Sequence, residues 1–239
     1  MSRLFLPFGF YGIDGRTMVL LMVAFAFSMY AQLKVQSTFG RFSKIDAGSG
    51  LTGAQVARRL LDQNGLHDVP VELNPGRLSD HYDPRARHLR LSPEVFHGRS
   101  LAALGVAAHE TGHAVQHATG YAPLGFRNSL FPVANIGSTL AMPLFFIGFL
   151  FGGGVLLMNL GIALFTLAVV FQVVTLPVEF NASARALGML ETSGALRRGE
   201  EIEGAGKVLR AAALTYLAAT AVSLVWLLRL LLLRGSRDD

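Results

Sequence analysis

LFPVANIGSTLAMPLFFIGFLF-GGG-VLLMNLGIALFTLAVVFQVVTLPV, residues 130–178, contains no charged side chain. It falls into two apolar runs, residues 130–151 and 155–178, each reaching the ~20 residues that a helix needs to cross the hydrocarbon of a bilayer. Gly152, Gly153 and Gly154 between them leave room only for a tight hairpin, so the runs are expected to be antiparallel neighbours. Two further runs, residues 17–33 and 208–233, bring the expected spans to about four. Composition agrees: 51% hydrophobic residues, 15% charged and a mean hydropathy of +0.43 are too apolar for an ordinary soluble domain. The first run is the shortest, and no small-x-small cleavage site follows it, which favours an uncleaved anchor over a signal peptide.

Upstream of the hairpin, Leu101-Ala-Ala-Leu-Gly-Val-Ala-Ala-His109-Glu110-Thr-Gly-His113-Ala-Val-Gln-His117 carries the chemistry. Positions i and i+4 of a helix share one face, so His109 and His113 can offer two imidazole nitrogens to one metal ion. Glu110 sits beside them to handle protons, the H-E-x-x-H arrangement. Ser100 can cap this helix and Gly120 can end it. Helix-face histidines with an accidental Glu between them are the bland alternative, and the fate of most isolated histidines. A complete pentapeptide in a delimited helix argues against it. His117 stands eight residues from His109, about 12 Å of rise, too far for one ion with ligand bonds near ~2.1 Å, and is read as an outer or surface group.

A third ligand must come from elsewhere. Two spans separate the histidines from Glu179, so both return to one side of the membrane. A carboxylate at the end of a span, just after Pro177, is placed to complete a His₂Glu site with one position open for water, as in catalytic zinc. On spacing alone Glu179 is equally a solvated helix end, and Glu191, Asp80 and Asp83 are rivals.

The remainder of the chain is polar by comparison. Phe5, Phe8, Phe10 and Tyr11 suggest an interfacial lead-in. Thr52-Gly-Ala-Gln55 is a capping-box pattern opening a helix that stops at Asn64-Gly65. Residues 69–73 and 88–91 read as short strands, and Asp80-His-Tyr-Asp-Pro84 between them reads as a turn that lines the substrate groove. All seven histidines lie between residues 67 and 117, which concentrates the metal chemistry there. With no cysteine, disulfides and thiolate ligands are excluded. The net charge of +5 is spread along the chain, which suits anionic lipid head groups and not nucleic acid. The segments are therefore expected at 1–34 (lead-in and first span), 35–128 (metallopeptidase domain), 129–178 (hairpin), 179–207 (third-ligand helix and polar loop) and 208–239 (last span and tail). Oligomeric state leaves no mark on the sequence.

HETGHAVQH, DHYDP and FQVVTLPVEFNASARAL, in this order, resemble the neutral zinc metallopeptidases of the YugP type, small bacterial membrane proteins. The resemblance runs from about Lys34 to the end of the last span. It implies a mainly α membrane protein in which about four transmembrane helices carry a small α+β zincin-type metallopeptidase domain. It also implies zinc held by His109 and His113, with Glu110 as the catalytic carboxylate. Similarity to the wider group of membrane gluzincin proteases implies Glu179 as third ligand. Those proteins carry Glu-x-x-x-Asp here; this chain has Ser183 at the Asp position, so that residue's supporting role passes to Ser183 or Asn181. The expected reaction is hydrolysis of a polypeptide, membrane-associated or unfolded, with Glu110 as general base. Candidate donors to the developing oxyanion are His81, Tyr82 and Arg185, the last equally readable as an interfacial anchor. The rivals are a membrane scaffold with a metal site and a metal-dependent hydrolase of a non-peptide bond.

Arg and Lys mark the cytoplasmic side of a span. Lys34, Arg41 and Lys44 follow the first span against Arg3 and Arg16 before it, and Arg127 and Arg185 lie on the metal side. The site is thus expected to face the cytoplasm at a bacterial inner membrane, although Arg229, Arg234 and Arg237 pull the other way.

Overall fold

A computed structural model of the chain describes residues 15–76, 78–151 and 154–235. The aromatic lead-in, Arg3, Gly152 and Gly153 of the hairpin turn, and Arg237 lie outside the described residues. The elements, in order, are α1 (Gly15–Phe42), α2 (Gly53–Gln63), β1 (Val71–Leu73), β2 (His81–Asp83), β3 (His88–Leu91), α3 (Pro93–Phe96), α4 (Leu101–Ala118), α5 (Ala122–Leu150), α6 (Val155–Thr192) and α7 (Glu200–Gly235). The protein is mainly helical, with four helices long and apolar enough to cross a membrane and one small sheet.

All four long helices outrun the apolar stretches that announce them. α1 continues past Lys34 to Phe42, α6 past Pro177 to Thr192, and α7 begins eight residues before its apolar run, at Glu200. Hydropathy marks the stretch fit for lipid, whereas backbone hydrogen bonding continues wherever side chains tolerate a helix. Glu200, Glu201 and Glu203 occupy the first turn of α7, where carboxylates face the positive end of the helix dipole.

The short elements follow local chemistry. Thr52 and Gln55 form both bonds of the capping box on α2. Ser100 accepts from the Ala103 amide to start α4, and Gly120 takes the left-handed backbone (φ +62°) just beyond its end. The sheet runs in the order β1-β3-β2, with β1 parallel and β2 antiparallel to β3. Residues 81–83, expected within a turn, are instead strand β2, with Tyr82 opposite Leu89. The turn begins one step later because the Asp83 side chain accepts from the amides of Arg85 and Ala86, which frees the preceding residues to pair.

By internal contacts the chain forms two compact units. One comprises residues 1–29, 131–171 and 218–239, the other 30–130 and 172–217. In the first, Phe145, Met158 and Leu230 make a small core, and many apolar side chains are turned outward, Met22 and Leu156 among them (58% and 78% exposed). Apolar surface on this scale needs a partner other than water. In the second unit α4 lies between two buried clusters. Leu101, Leu104 and Ala108 pack with Leu190, Leu196 and Leu209, while Ala107, Ala114 and Val115 pack with Leu61, Leu89 and Leu91.

Small residues set how closely α4 is approached. A Cβ placed on Gly112 would stand 2.7 Å from the Ala182 carbonyl oxygen of α6, whereas one on Gly105 would make an ordinary 3.5 Å contact with Ala205 of α7. Backbone cannot yield as a side-chain tip does. Gly112→Ala is therefore expected to destabilise the protein by about 1–3 kcal/mol, and Gly105→Ala to change its melting temperature little. Thermal unfolding of the two variants in detergent checks the contrast, and equal effects would contradict the assigned contact.

Candidate metal centre

His109 and His113 stand one turn apart on α4 with ring centroids 4.8 Å apart and ring planes 84° to one another. Across the Gly112–Ala182 contact, α6 supplies Glu179, whose side chain is only 3% exposed. Its Oε2 lies 3.2 Å from His109 Nε2 and 3.7 Å from His113 Nε2. Ligand atoms of the three residues all fall within 4.8 Å of one another, the one such His/Asp/Glu group among the described residues. Arg127 approaches the other carboxylate oxygen at 4.0 Å.

The second nitrogen of each imidazole is also engaged. His109 Nδ1 lies 3.1 Å from Ser183 Oγ, and His113 Nδ1 lies 3.0 Å from Gln116 Oε1. Gln116 is fully buried, and its amide donates to the Val178 carbonyl at 2.8 Å and to Asn181 Oδ1 at 3.0 Å. Arg185 Nε donates to the same Asn181 oxygen at 2.8 Å. Fixing Nδ1 in this way orients the ring and leaves the Nε2 lone pair directed at the shared point, the usual support for a metal-ligating histidine.

The electrostatics favour a cation. Burial disfavours the charged form of His113, but its hydrogen bond to the Glu179 carboxylate and the nearby Glu110 charge outweigh it, and its pKa is raised. A buried carboxylate is stable only when paired or coordinated. Two imidazole nitrogens and one carboxylate oxygen are the donors zinc prefers, and three protein ligands leave its fourth position open. The residues present fit the ion.

Glu110 is not in this group of three. Its Oε2 accepts from the Tyr82 amide of β2 at 3.1 Å, so the sheet holds the carboxylate beside the site. A cavity of about 190 Å³ adjoins the group, walled in part by His109, Glu110, Glu179, Ser183, Asp80 and Tyr216. Of the candidate oxyanion donors, none lines this cavity. The Tyr82 hydroxyl pairs with His117 Nδ1 at 2.9 Å, His81 Nδ1 lies 2.8 Å from the Ser79 carbonyl, and Arg185 is engaged by Asn181. The rival carboxylates have other partners: Glu191 pairs with Arg198 at 2.7 Å, Asp80 accepts from Ser92, and Asp83 stabilises its turn.

Gln116 and Tyr216 join the site without belonging to the H-E-x-x-H pattern. Gln116 follows His113 by three positions and so shares its helix face, a signal legible in HETGHAVQH. Tyr216 is a lone phenol within the apolar run of α7; it shares the cavity wall with Glu179, and only the packing of α7 against the site reveals it.

A helical chain with membrane-capable helices and a largely buried His/His/Glu group that could hold a metal is the class that fold and site define. The sequence profile of the family described as "Putative neutral zinc metallopeptidase" matches residues 17–235, and the chain belongs to that family. It is 52% identical over 221 residues to "Putative membrane protease YugP" of Bacillus subtilis (strain 168), an alignment covering 92% of this chain and 97% of that protein. No solved structure matches significantly.

Replacing Gln116 or Ser183 by Ala should weaken zinc binding by about 10–100-fold while leaving the fold intact. Glu179→Ala should weaken it further still. Zinc titration against a competing chelator, with circular dichroism as the folding control, measures all three. Unchanged affinity in Gln116→Ala would remove its role in holding His113.

Proposed function

We propose that the protein is a membrane-embedded zinc-dependent endopeptidase that hydrolyses membrane-associated or unfolded polypeptides. The observation that carries this reading is the convergence of His109 Nε2, His113 Nε2 and the Glu179 carboxylate, with Glu110 held alongside by the Tyr82 amide. In this reading His109, His113 and Glu179 hold one zinc ion. When bound, zinc acidifies water and polarises a carbonyl.

Glu110 takes the proton of the attacking water as general base, and delivers a proton to the leaving amine as the peptide bond breaks. The backbone bond from Tyr82 fixes which carboxylate oxygen is restrained and leaves the other to work. Tyr216, on the cavity wall beside Glu110 and Glu179, is the better-placed donor to a developing oxyanion. His81, Tyr82 and Arg185 then serve as supports: Tyr82 through its amide to Glu110, and Arg185 through Asn181 to Gln116. His81 belongs to the β2 strand that carries that amide.

In the same reading the four long helices anchor the chain in a bacterial inner membrane, the metal domain draws on residues 35–128 together with 179–207, and the site faces the cytoplasm. Reporter fusions at residue 195 and at the C-terminus are expected to place the former inside and the latter outside. An exported residue 195 would reverse the orientation.

Glu110→Gln separates a peptidase from a membrane scaffold that merely binds metal. The variant should keep about one zinc per chain, since Glu110 is not one of the three ligands, and lose hydrolysis of an unfolded protein such as casein by about 10²–10⁴-fold. Wild-type protein that binds zinc but cleaves no polypeptide would contradict the proposal, as would undiminished cleavage by the variant.

A further inference from the structure

The cavity at the His/Glu group, about 190 Å³, is too small for the several residues of polypeptide that flank a bond under attack. Flanking residues need a contiguous groove. The neighbouring space is a cavity of about 920 Å³ formed by segments of α1, α6 and α7, which shares the wall residues Ser183, Leu209 and Ala213 with the smaller one. Ser183 is the residue whose hydroxyl contacts His109 Nδ1, so the wall common to the two cavities borders the site.

The larger cavity has a distinct chemistry. Leu187 and Leu217 contribute apolar wall, and Lys34, Arg41, Lys207 and Arg210 line it as well, with no Asp or Glu among its lining residues. Lys207 is paired with Glu203 at 2.8 Å. Lys34, Arg41 and Arg210 have no carboxylate within ion-pair distance among the described residues. Arg210 acts on Glu203 only at longer range, so the three present a net positive charge beside an apolar surface, and that charge attracts an anionic, partly apolar occupant.

Resting on the peptidase reading, we infer that Lys34, Arg41 and Arg210 are specificity determinants. They seat an acidic side chain of the substrate while Leu187 and Leu217 take an apolar neighbour, so the preferred substrates are polypeptides with an acidic-apolar segment on one side of the cleaved bond. An anionic lipid head group would satisfy the same charge. The shared wall at Ser183, whose hydroxyl contacts His109, favours the substrate, because a chain seated in the larger cavity lies next to the His/Glu group.

The experiment uses the full-length, zinc-loaded protein in neutral detergent. Fluorogenic peptides with a common apolar core carry Glu, Gln or Lys at flanking positions on either side. The wild type is expected to favour Glu over Gln on one side by roughly tenfold in kcat/KM, mainly through KM, as three partly exposed ion pairs together allow. The ratio should fall toward one in Lys34→Gln/Arg41→Gln/Arg210→Gln, and Arg41→Glu should shift the preference toward Lys. Zinc content identifies variants that have lost the fold, in which case the single Gln variants supply the ratio. Cleavage with no charge preference, or a preference that survives in the triple variant, overturns the inference and leaves the peptidase reading standing. Failure to cleave any peptide despite bound zinc overturns both. A triple variant that loses binding to phosphatidylcholine vesicles containing phosphatidylglycerol, with peptide preference unchanged, assigns the groove to lipid and also overturns it.

Discussion

Helices α4 and α6 touch backbone to side-chain-free backbone where Gly112 meets Ala182, and everything proposed for this protein depends on that contact. Histidines on one helix and a carboxylate on another become a metal site only if the helix axes come close enough for side chains to share a point. Any residue with a Cβ at position 112 would hold α6 away. Glu179 would then no longer reach 3.2 Å from His109 Nε2. The glycine inside HETGH is thus as much a part of the site as the residues with functional groups.

Hydrogen bonds then fix what packing brings together. The buried Gln116 side chain joins His113 on α4 to the Val178 carbonyl and Asn181 on α6. Ser183 of α6 reaches back to His109. Each histidine is therefore tied to the helix that also supplies Glu179. The cost of burying the Glu179 charge is offset by its hydrogen bonds with His109 and His113, and a cation at the same point would offset it further. Glu110 has a different attachment, to the β2 backbone, which holds its carboxylate beside the group of three and outside it.

Much of this was legible in the sequence, for physical reasons that can be named. Helical periodicity in HETGH places two histidines on one face whatever the tertiary context. Two uncharged runs joined by three glycines are expected to return the chain to its starting side, which makes Glu179 a candidate from sequence. The Thr52 box and the Ser100 cap are local bonds, written in four residues each. Less was legible where the outcome depends on distant partners. Helix ends in α6 and α7 do not coincide with the ends of apolar runs, because lipid compatibility and helix formation are separate properties. Residues 81–83 became a strand because β3 offers them a ladder. Spacing alone could not separate Glu179 from Glu191, Asp80 or Asp83, whose other partners appear only in three dimensions. Tyr216 shows no motif at all, and its place beside Glu179 follows from how α7 packs.

X-ray absorption at the zinc edge of the purified protein tests the central claim most directly, because it reports the ligand set without assuming any activity. Two imidazole nitrogens with oxygen donors completing a four-coordinate shell at distances near ~2.0–2.1 Å are predicted, and the spectrum should change in Glu179→Ala. A shell with one imidazole or none, or a spectrum that Glu179→Ala leaves untouched, would contradict the assignment of His109, His113 and Glu179 as the metal centre.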